Sequence, residues 1–404
     1  MQPGARLRGL MLALLFVIVI IAYADRQVVA LLKPALDREL GWSAADYGTI
    51  TTCFQAAVAI TLLVSGWFMD RVGLRAGLAI GLGGWSLSAV AHIAARSVGQ
   101  FVVARVALGS FEALGNPAGV KAVAGFIPAG RRGLALGILN TAPNIAAILT
   151  PLLVSLLYVA AGWKGTVAII GASGFLCLAL WLLLPFPPVV AEQPRTARPV
   201  FLLRERPTWA IAVPKMLSDQ GWWFFLFWLP DVLHRQFGLD IRHLGTPIAV
   251  IYGMAGIGAL AGGMLPGWIA GRHALAPARE RARRLVMGVA ALAVLPVSTA
   301  LWCQTLWPAV LIVGIALAAH QAFSTNLFAF AADSVPASRV GAVVGFAAFC
   351  GNLGGTLTLR TTGWVVQNQG SFLWMFIGVA CFYPMAWIAL RLLAPPALVS
   401  REAR

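Results

Sequence analysis

Apolar residues dominate this chain in twelve long stretches, at 8–33, 46–70, 75–95, 98–122, 133–160, 165–186, 208–234, 243–270, 284–303, 307–333, 340–366 and 371–394. Crossing ~30 Å of hydrocarbon takes about 20 residues of α-helix, whereas the strands of a membrane barrel are shorter and alternate apolar with polar positions. The pattern therefore predicts twelve transmembrane helices, six on each side of a break. The break, 187–207, has no apolar periodicity and contains Pro187, Pro188, Pro194, Pro199 and Pro207 with Arg195, Arg198, Arg204 and Arg206. It reads as a cytoplasmic linker between an N-terminal bundle, 1–186, and a C-terminal bundle, 208–404.

Composition supports the membrane assignment. Of 404 residues 60% are hydrophobic and 11% charged, with a mean hydropathy of +0.83, too little polar side chain to cover a soluble globule. A net charge of +16 would suggest nucleic acid in a soluble protein, but here the placement of Lys and Arg matters more. With the N-terminus inside, 19 of the 30 basic residues fall on the inner side, six on the outer and five within spans. Both termini are then expected to be cytoplasmic, with the lipid bilayer rather than nucleic acid as partner. Arg6, Arg8, the run from Leu10 and the triplet Ala22-Tyr23-Ala24 imitate a signal peptide. Apolar character resumes at Val28-Val29-Ala30-Leu31-Leu32, so the segment is expected to be a full crossing. Cys53, Cys177, Cys303, Cys350 and Cys381 lie inside expected helices without CxxC spacing, which indicates neither a disulfide framework nor a metal site.

An internal repeat joins the halves. Pro128-Ala129, Arg131, Gly133, Gly137 and Asn144 recur 208 positions later as Pro336-Ala337, Arg339, Gly341, Gly345 and Asn352. Gly66-Trp67 and Arg71 are echoed by Gly267-Trp268 and Arg272, with Gly271 where the first copy has Asp70. Parallel repeats of this kind are how many secondary transporters place a site at the membrane midplane between two rocking bundles.

Four charges stand where lipid should not tolerate them: Asp25 and Arg26 in the first span, Arg105 and Glu112 in the fourth. At roughly 2.5–3.5 kcal/mol each at the bilayer centre, they are expected to face a polar interior and one another. Seven residues separate Arg105 from Glu112, about two helical turns, so the two share nearly one face and leave a substrate-sized gap. An arginine fork suits a carboxylate and stays charged, whereas a partly buried carboxyl can hold a proton. Two structural salt bridges are the alternative, although buried ion pairs stabilise poorly.

The loop Gly66-Trp-Phe-Met-Asp70-Arg71-Val-Gly73-Leu-Arg75 resembles the signature G-x-x-x-D-R-x-G-R-[RK] of the major facilitator superfamily, with Leu74 where a basic residue is preferred. Gly66, Asp70, Arg71 and Gly73 are accordingly expected to gate rather than to touch substrate. Tyr23-Ala-Asp25-Arg26, Arg105-x6-Glu112 with Asn116-Pro117, and Trp222-Trp223-Phe-Phe-Leu-Phe-Trp228-Leu-Pro230 are similar to the anion:cation symporters of that superfamily. Ser218-Asp219-Gln-Gly-Trp222-Trp223 and His320-Gln321-Ala-Phe-Ser-Thr-Asn326 resemble the bacterial hexuronate transporters most. The resemblance implies an inner-membrane major facilitator fold that imports a sugar acid, such as galacturonate or glucuronate, with protons. It further implies that Asp25 and Glu112 carry protons, and that Arg26 and Arg105 hold the carboxylate.

A sugar acid also needs amide and hydroxyl partners and an apolar wall. Tyr23, Gln55, Asn140, Asn144, Gln321, Asn326 and Asn352 are candidates for the former, Trp222 and Trp223 for the latter. Lys215 and Asp219, four apart, are expected to pair structurally, and His320 to be a hydrogen-bonded buried imidazole. Lys121 and Arg360 are expected to snorkel from span ends, and Asp333 to mark the inner end of the tenth span. No G-x-x-x-x-G-K-[ST] loop and no H-E-x-x-H occurs, so neither a nucleotide-driven pump nor a zinc enzyme is expected, and protons are the only coupling species called for. The runner-up is a symporter or antiporter for another organic anion, an aldonate, aldarate or aromatic acid. A sugar-acid receptor would carry a signalling domain, and only eight residues follow Pro396. By analogy with its superfamily the chain is expected to act as a monomer.

Overall fold

A computed structural model of the chain describes residues 5–185, 203–271, 276–335 and 337–394, and these are helical with short connections. The α-helices are α1 (Ala5–Leu40), α2 (Ala44–Val72), α3 (Leu74–Ala91), α4 (Val98–Glu112), α5 (Gly115–Phe126), α6 (Ala129–Leu183), α7 (Arg206–Phe237), α8 (Ile241–Ala270), α9 (Ala276–Val294), α10 (Leu306–Ser334), α11 (Ala337–Gln369) and α12 (Leu373–Leu393). A 3-10 turn, Leu295–Trp302, extends α9. Arg195, Arg198, Arg272, Pro336, Arg401 and Arg404, and most of the expected linker, lie outside the described residues.

Ten helices among the described residues are long and apolar enough to cross a membrane, with α4 and α5 forming one such crossing. Twelve crossings follow from two local features. Gly162, at φ 65°, ψ −175°, breaks α6 into two crossings. Helix α7 is 32 residues long, but Lys215, Asp219 and its tryptophans keep its hydropathy low, so it stands outside the ten. Large apolar side chains point outward along these helices, among them Trp268 at 82% and Leu183 at 79% exposure, as lipid-facing surface requires.

Sequence chemistry explains the boundaries. Ser43 caps α2 reciprocally with Asp46, and Ser97 caps α4 with Gln100, each side chain accepting from or answering the other's backbone N–H. Gly73 sits at φ 84° as the shared residue between α2 and α3, a conformation only glycine takes cheaply. The expected continuous span 98–122 is instead interrupted after Glu112, because Pro117 has no N–H to donate to the carbonyl of Ala113. Both members of the long repeat open a helix, Ala129 in α6 and Ala337 in α11.

The chain forms two compact units, Met1–Pro194 with Pro230–Ala249, and Arg195–Leu229 with Val250–Arg404. In the first, α1 and α3 pack on α6, and α2 packs on α4. A Cβ on Gly109 of α4 would stand 2.7 Å from the carbonyl oxygen of Phe54 in α2, so only glycine allows that approach. In the second unit, Gly258 and Gly262 of α8 lie against Ala318 and Ala322 of α10 in the same way.

Candidate functional site

The break after Glu112 makes it the last residue of α4. Asp25, Arg26, Arg105 and Glu112 are all buried, with 2%, 5%, 2% and 4% of their surface exposed. Arg26 Nε donates to Glu112 Oε1. Trp85 Nε1 of α3 donates to Asp25 Oδ2 at 2.6 Å, and Arg105 Nη1 donates to the Asp25 backbone oxygen at 3.1 Å. The Phe54 ring of α2 faces both guanidiniums, 5.9 Å from Arg26 and 5.3 Å from Arg105, and Tyr23 lies 4.8 Å from Arg26. Arg105 and Glu112 are therefore not the two ends of an open gap: Glu112 is taken by Arg26, and Arg105 by the α1 backbone.

The two arginines differ in charge balance. Arg26 is neutralised by a carboxylate, whereas Arg105 forms no ion pair among the described residues. Its Nε, like Glu112 Oε2, is buried without a hydrogen-bond partner among the described residues. A buried cation held only by a backbone carbonyl and an aromatic face retains its affinity for an anion.

The remaining candidates divide between the units. In the first, Gln55 is fully buried, Asn144 half-buried and Asn140 exposed. In the second, Trp222 stacks on His320 at 5.3 Å, and Trp223 stacks on Phe227 at 6.2 Å. Tyr383 Oη donates to the Ser218 carbonyl at 3.0 Å and lies 2.8 Å from His320 Nδ1. Lys215 Nζ donates to Asp219 Oδ1 at 2.7 Å and to Ser324 Oγ at 3.1 Å. Asn326 Nδ2 donates to the carbonyls of Gly262 and Ala322, which ties α10 to α8, and Asn352 Nδ2 donates to that of Ala348 in its own helix. Gln321 is half-buried beside His320 in α10. The side chain of Asn116 lies outside the described residues.

One reading of charge needs correction. Asp70 pairs with Lys121 of α5, and the Arg71 guanidinium covers the Trp67 ring at 5.3 Å. Lys121 thus does not snorkel freely, because a carboxylate one helix away outcompetes the interface. Lys33 is 0% exposed and donates to Asp37 Oδ2 at 2.5 Å and Asp231 Oδ1 at 3.2 Å. Asp231 also receives Arg235 at 3.0 Å. Asp333 pairs with Arg283 at 2.7 Å.

Sequence reasoning missed Trp85, His92, Lys33 and Asp231. Wide sequence separation hid two of these pairs, 60 positions for Trp85 and Asp25, 198 for Lys33 and Asp231.

The model for the Major Facilitator Superfamily matches residues 15–359. Among curated proteins, the chain is 28% identical over 385 residues to the hexuronate transporter of Escherichia coli strain K12, covering 90% of this chain and 89% of the relative. It is 26% identical over 403 residues to the probable L-galactonate transporter of the same strain, covering 93% and 87%. With the galacturonate transporter of Dickeya chrysanthemi the identity is 27%, over 64% of this chain and 81% of the relative. Among solved structures, a bacterial homologue of the human lysosomal transporter Spinster superposes with a TM-score of 0.77 at 17% identity, over 97% of this chain and 96% of that one.

Proposed function

Because this chain belongs to the Major Facilitator Superfamily, a family of multi-pass membrane transporters, we infer that it carries a sugar acid of the hexuronate class across the membrane together with protons. The observation that carries this reading is Arg105, a buried cation with no carboxylate of its own among the described residues. Relatives named for hexuronate, galacturonate and galactonate transport give the anion its polyhydroxylated class. An aldonate, aldarate or aromatic acid, taken up or exchanged, is the second reading.

Coupling follows from the Arg26–Glu112 pair. While Glu112 is ionised it occupies Arg26; a proton on Glu112 weakens that hold and frees the guanidinium for the substrate carboxylate. Asp25 is the second proton site. Its carboxyl is held by Trp85, and Arg105 bonds to its backbone, so a change at Asp25 reaches the anion site directly. The cavity beside Arg105 is about 10 Å³, so a sugar acid enters only after the helices around it rearrange. Alternating access, with the halves 1–186 and 208–404 as the moving bodies and 187–207 as their tether, supplies that rearrangement. Tyr23, Gln55, Asn140 and Asn144 on one half, and Trp222, Trp223, Gln321, Asn326 and Asn352 on the other, would read the hydroxyls. Asp70 and Arg71, with Gly66 and Gly73, would gate. The protein would work as a monomer in a bacterial inner membrane with both termini cytoplasmic.

In proteoliposomes, galacturonate or glucuronate is expected to accumulate when the outside is acidic. Arg105→Ala is expected to abolish binding, and Glu112→Gln to keep exchange but lose accumulation. Uptake that ignores the proton gradient refutes the coupling, and unchanged affinity in Arg105→Ala refutes its role.

A further inference from the structure

His92 lies just past the end of α3 and is 2% exposed. Its Nδ1 faces two backbone oxygens, of Ser88 at 2.8 Å and Ala89 at 3.1 Å. Carbonyl oxygens only accept, so Nδ1 carries the hydrogen and Nε2 is left with a lone pair. A second proton on the ring would place another buried cation beside Arg105, which the enclosure penalises. Nε2 is therefore an acceptor, and among the described residues it has no hydrogen-bond partner.

His92 lines the same cavity as Asp25 of α1 and Arg105 of α4. The other lining side chains, from α1, α3, α4 and α6, are aliphatic, so Asp25 and Arg105 are the charged groups that face the imidazole there. The cavity, about 10 Å³, has room for a single water. Trp85 occupies Asp25 Oδ2 with an N–H, which leaves Oδ1 as the oxygen able to carry a proton.

We propose that His92 is a positioning residue of the proton site: its Nε2 accepts the hydrogen of protonated Asp25, directly or through one water, and so favours the proton-loaded carboxyl. The proton stays on Asp25, and no bond is transferred to the imidazole. Arg105 Nε, also unpartnered, donates to the same water, which links the proton site to the anion site. This inference rests on the proton-coupled reading above.

The test compares His92→Asn, His92→Gln and His92→Phe. Asparagine reproduces the Nδ1 donor to Ser88 but offers nothing at Nε2; glutamine places an amide oxygen near Nε2. Losing the acceptor disfavours the protonated carboxyl, so half-maximal uptake is expected at a pH lower by about half to one unit in the Asn and Phe variants, and nearer to wild type in Gln. A merely structural His92 would leave the Asn variant's profile at wild type. Infrared titration of the Asp25 carboxyl band, identified by its loss in Asp25→Asn, reads the same midpoint in detergent without transport. An unmoved midpoint in both Asn and Phe overturns the proposal. If wild-type uptake is independent of pH, the proton-coupled reading falls, and the infrared midpoints still decide whether His92 stabilises the protonated acid.

Discussion

Neutralising Glu112 tests whether the Arg26–Glu112 pair is a switch or a strut. The two side chains expose only 6% and 1%, so water contributes little to either charge. Opposite charges about 4 Å apart in a medium of effective dielectric about 20 attract by about 4 kcal/mol, and breaking a buried pair by removing one partner costs about 3–5 kcal/mol. Glutamine keeps a carbonyl acceptor for Arg26 Nε, and a hydrogen bond to a charged group is worth about 1.5–3 kcal/mol. Glu112→Gln is therefore expected to destabilise by about 1–3 kcal/mol, and Glu112→Ala by the full 3–5 kcal/mol or so. Arg26→Met combined with Glu112→Leu removes both charges and replaces them with apolar volume, so it should cost less than Glu112→Ala alone. Equilibrium unfolding in detergent of Arg26→Met alone, Glu112→Leu alone and the two combined closes the cycle. Additivity within about 0.5 kcal/mol would mean that the two side chains do not act as a pair, and the proposed release of Arg26 by a proton on Glu112 would fall with it.

Trp85→Phe removes the donor that bonds Asp25 Oδ2 at 2.6 Å. Donors favour the ionised carboxylate, so half-maximal uptake is expected to move to higher pH by about half to one unit, opposite to the His92 variants; a shift to lower pH contradicts the assignment. Asp70→Asn breaks a pair with Lys121 whose side chains are 39% and 32% exposed, so the stability lost is expected to be about 0–1 kcal/mol. Turnover should fall far more than melting temperature does, and equal losses would reduce the motif to a fold element.

The crossings were legible because lipid imposes a length and a polarity that local composition reports directly. Local exceptions shape individual helices without changing the crossings. The two crossings at 133–160 and 165–186 meet in α6 at one glycine, Gly162, and the single crossing at 98–122 is interrupted after Glu112 because Pro117 withholds an N–H. The pairing Lys215–Asp219 was readable from i,i+4 spacing alone. The partner of Glu112 was not, since Arg105 shares its helix and Arg26 is 86 residues away. Charge in a membrane segment announces that a site exists, but which charges neutralise one another depends on the packing of helices remote in sequence. His92 carried no such signal: a histidine at a helix end attracts attention only once its neighbours are known.

The ion cluster of Lys33, Asp37, Asp231 and Arg235 has a consequence for inheritance. Proline-rich and between the two expected bundles, 187–207 is the obvious junction for building hybrids with relatives of this protein, yet residues 230–249 pack with the first unit. A chimera joined in that linker would take its enclosed lysine from one parent and the facing aspartate from the other. Compatibility at those two positions, more than at the junction itself, decides which hybrids assemble.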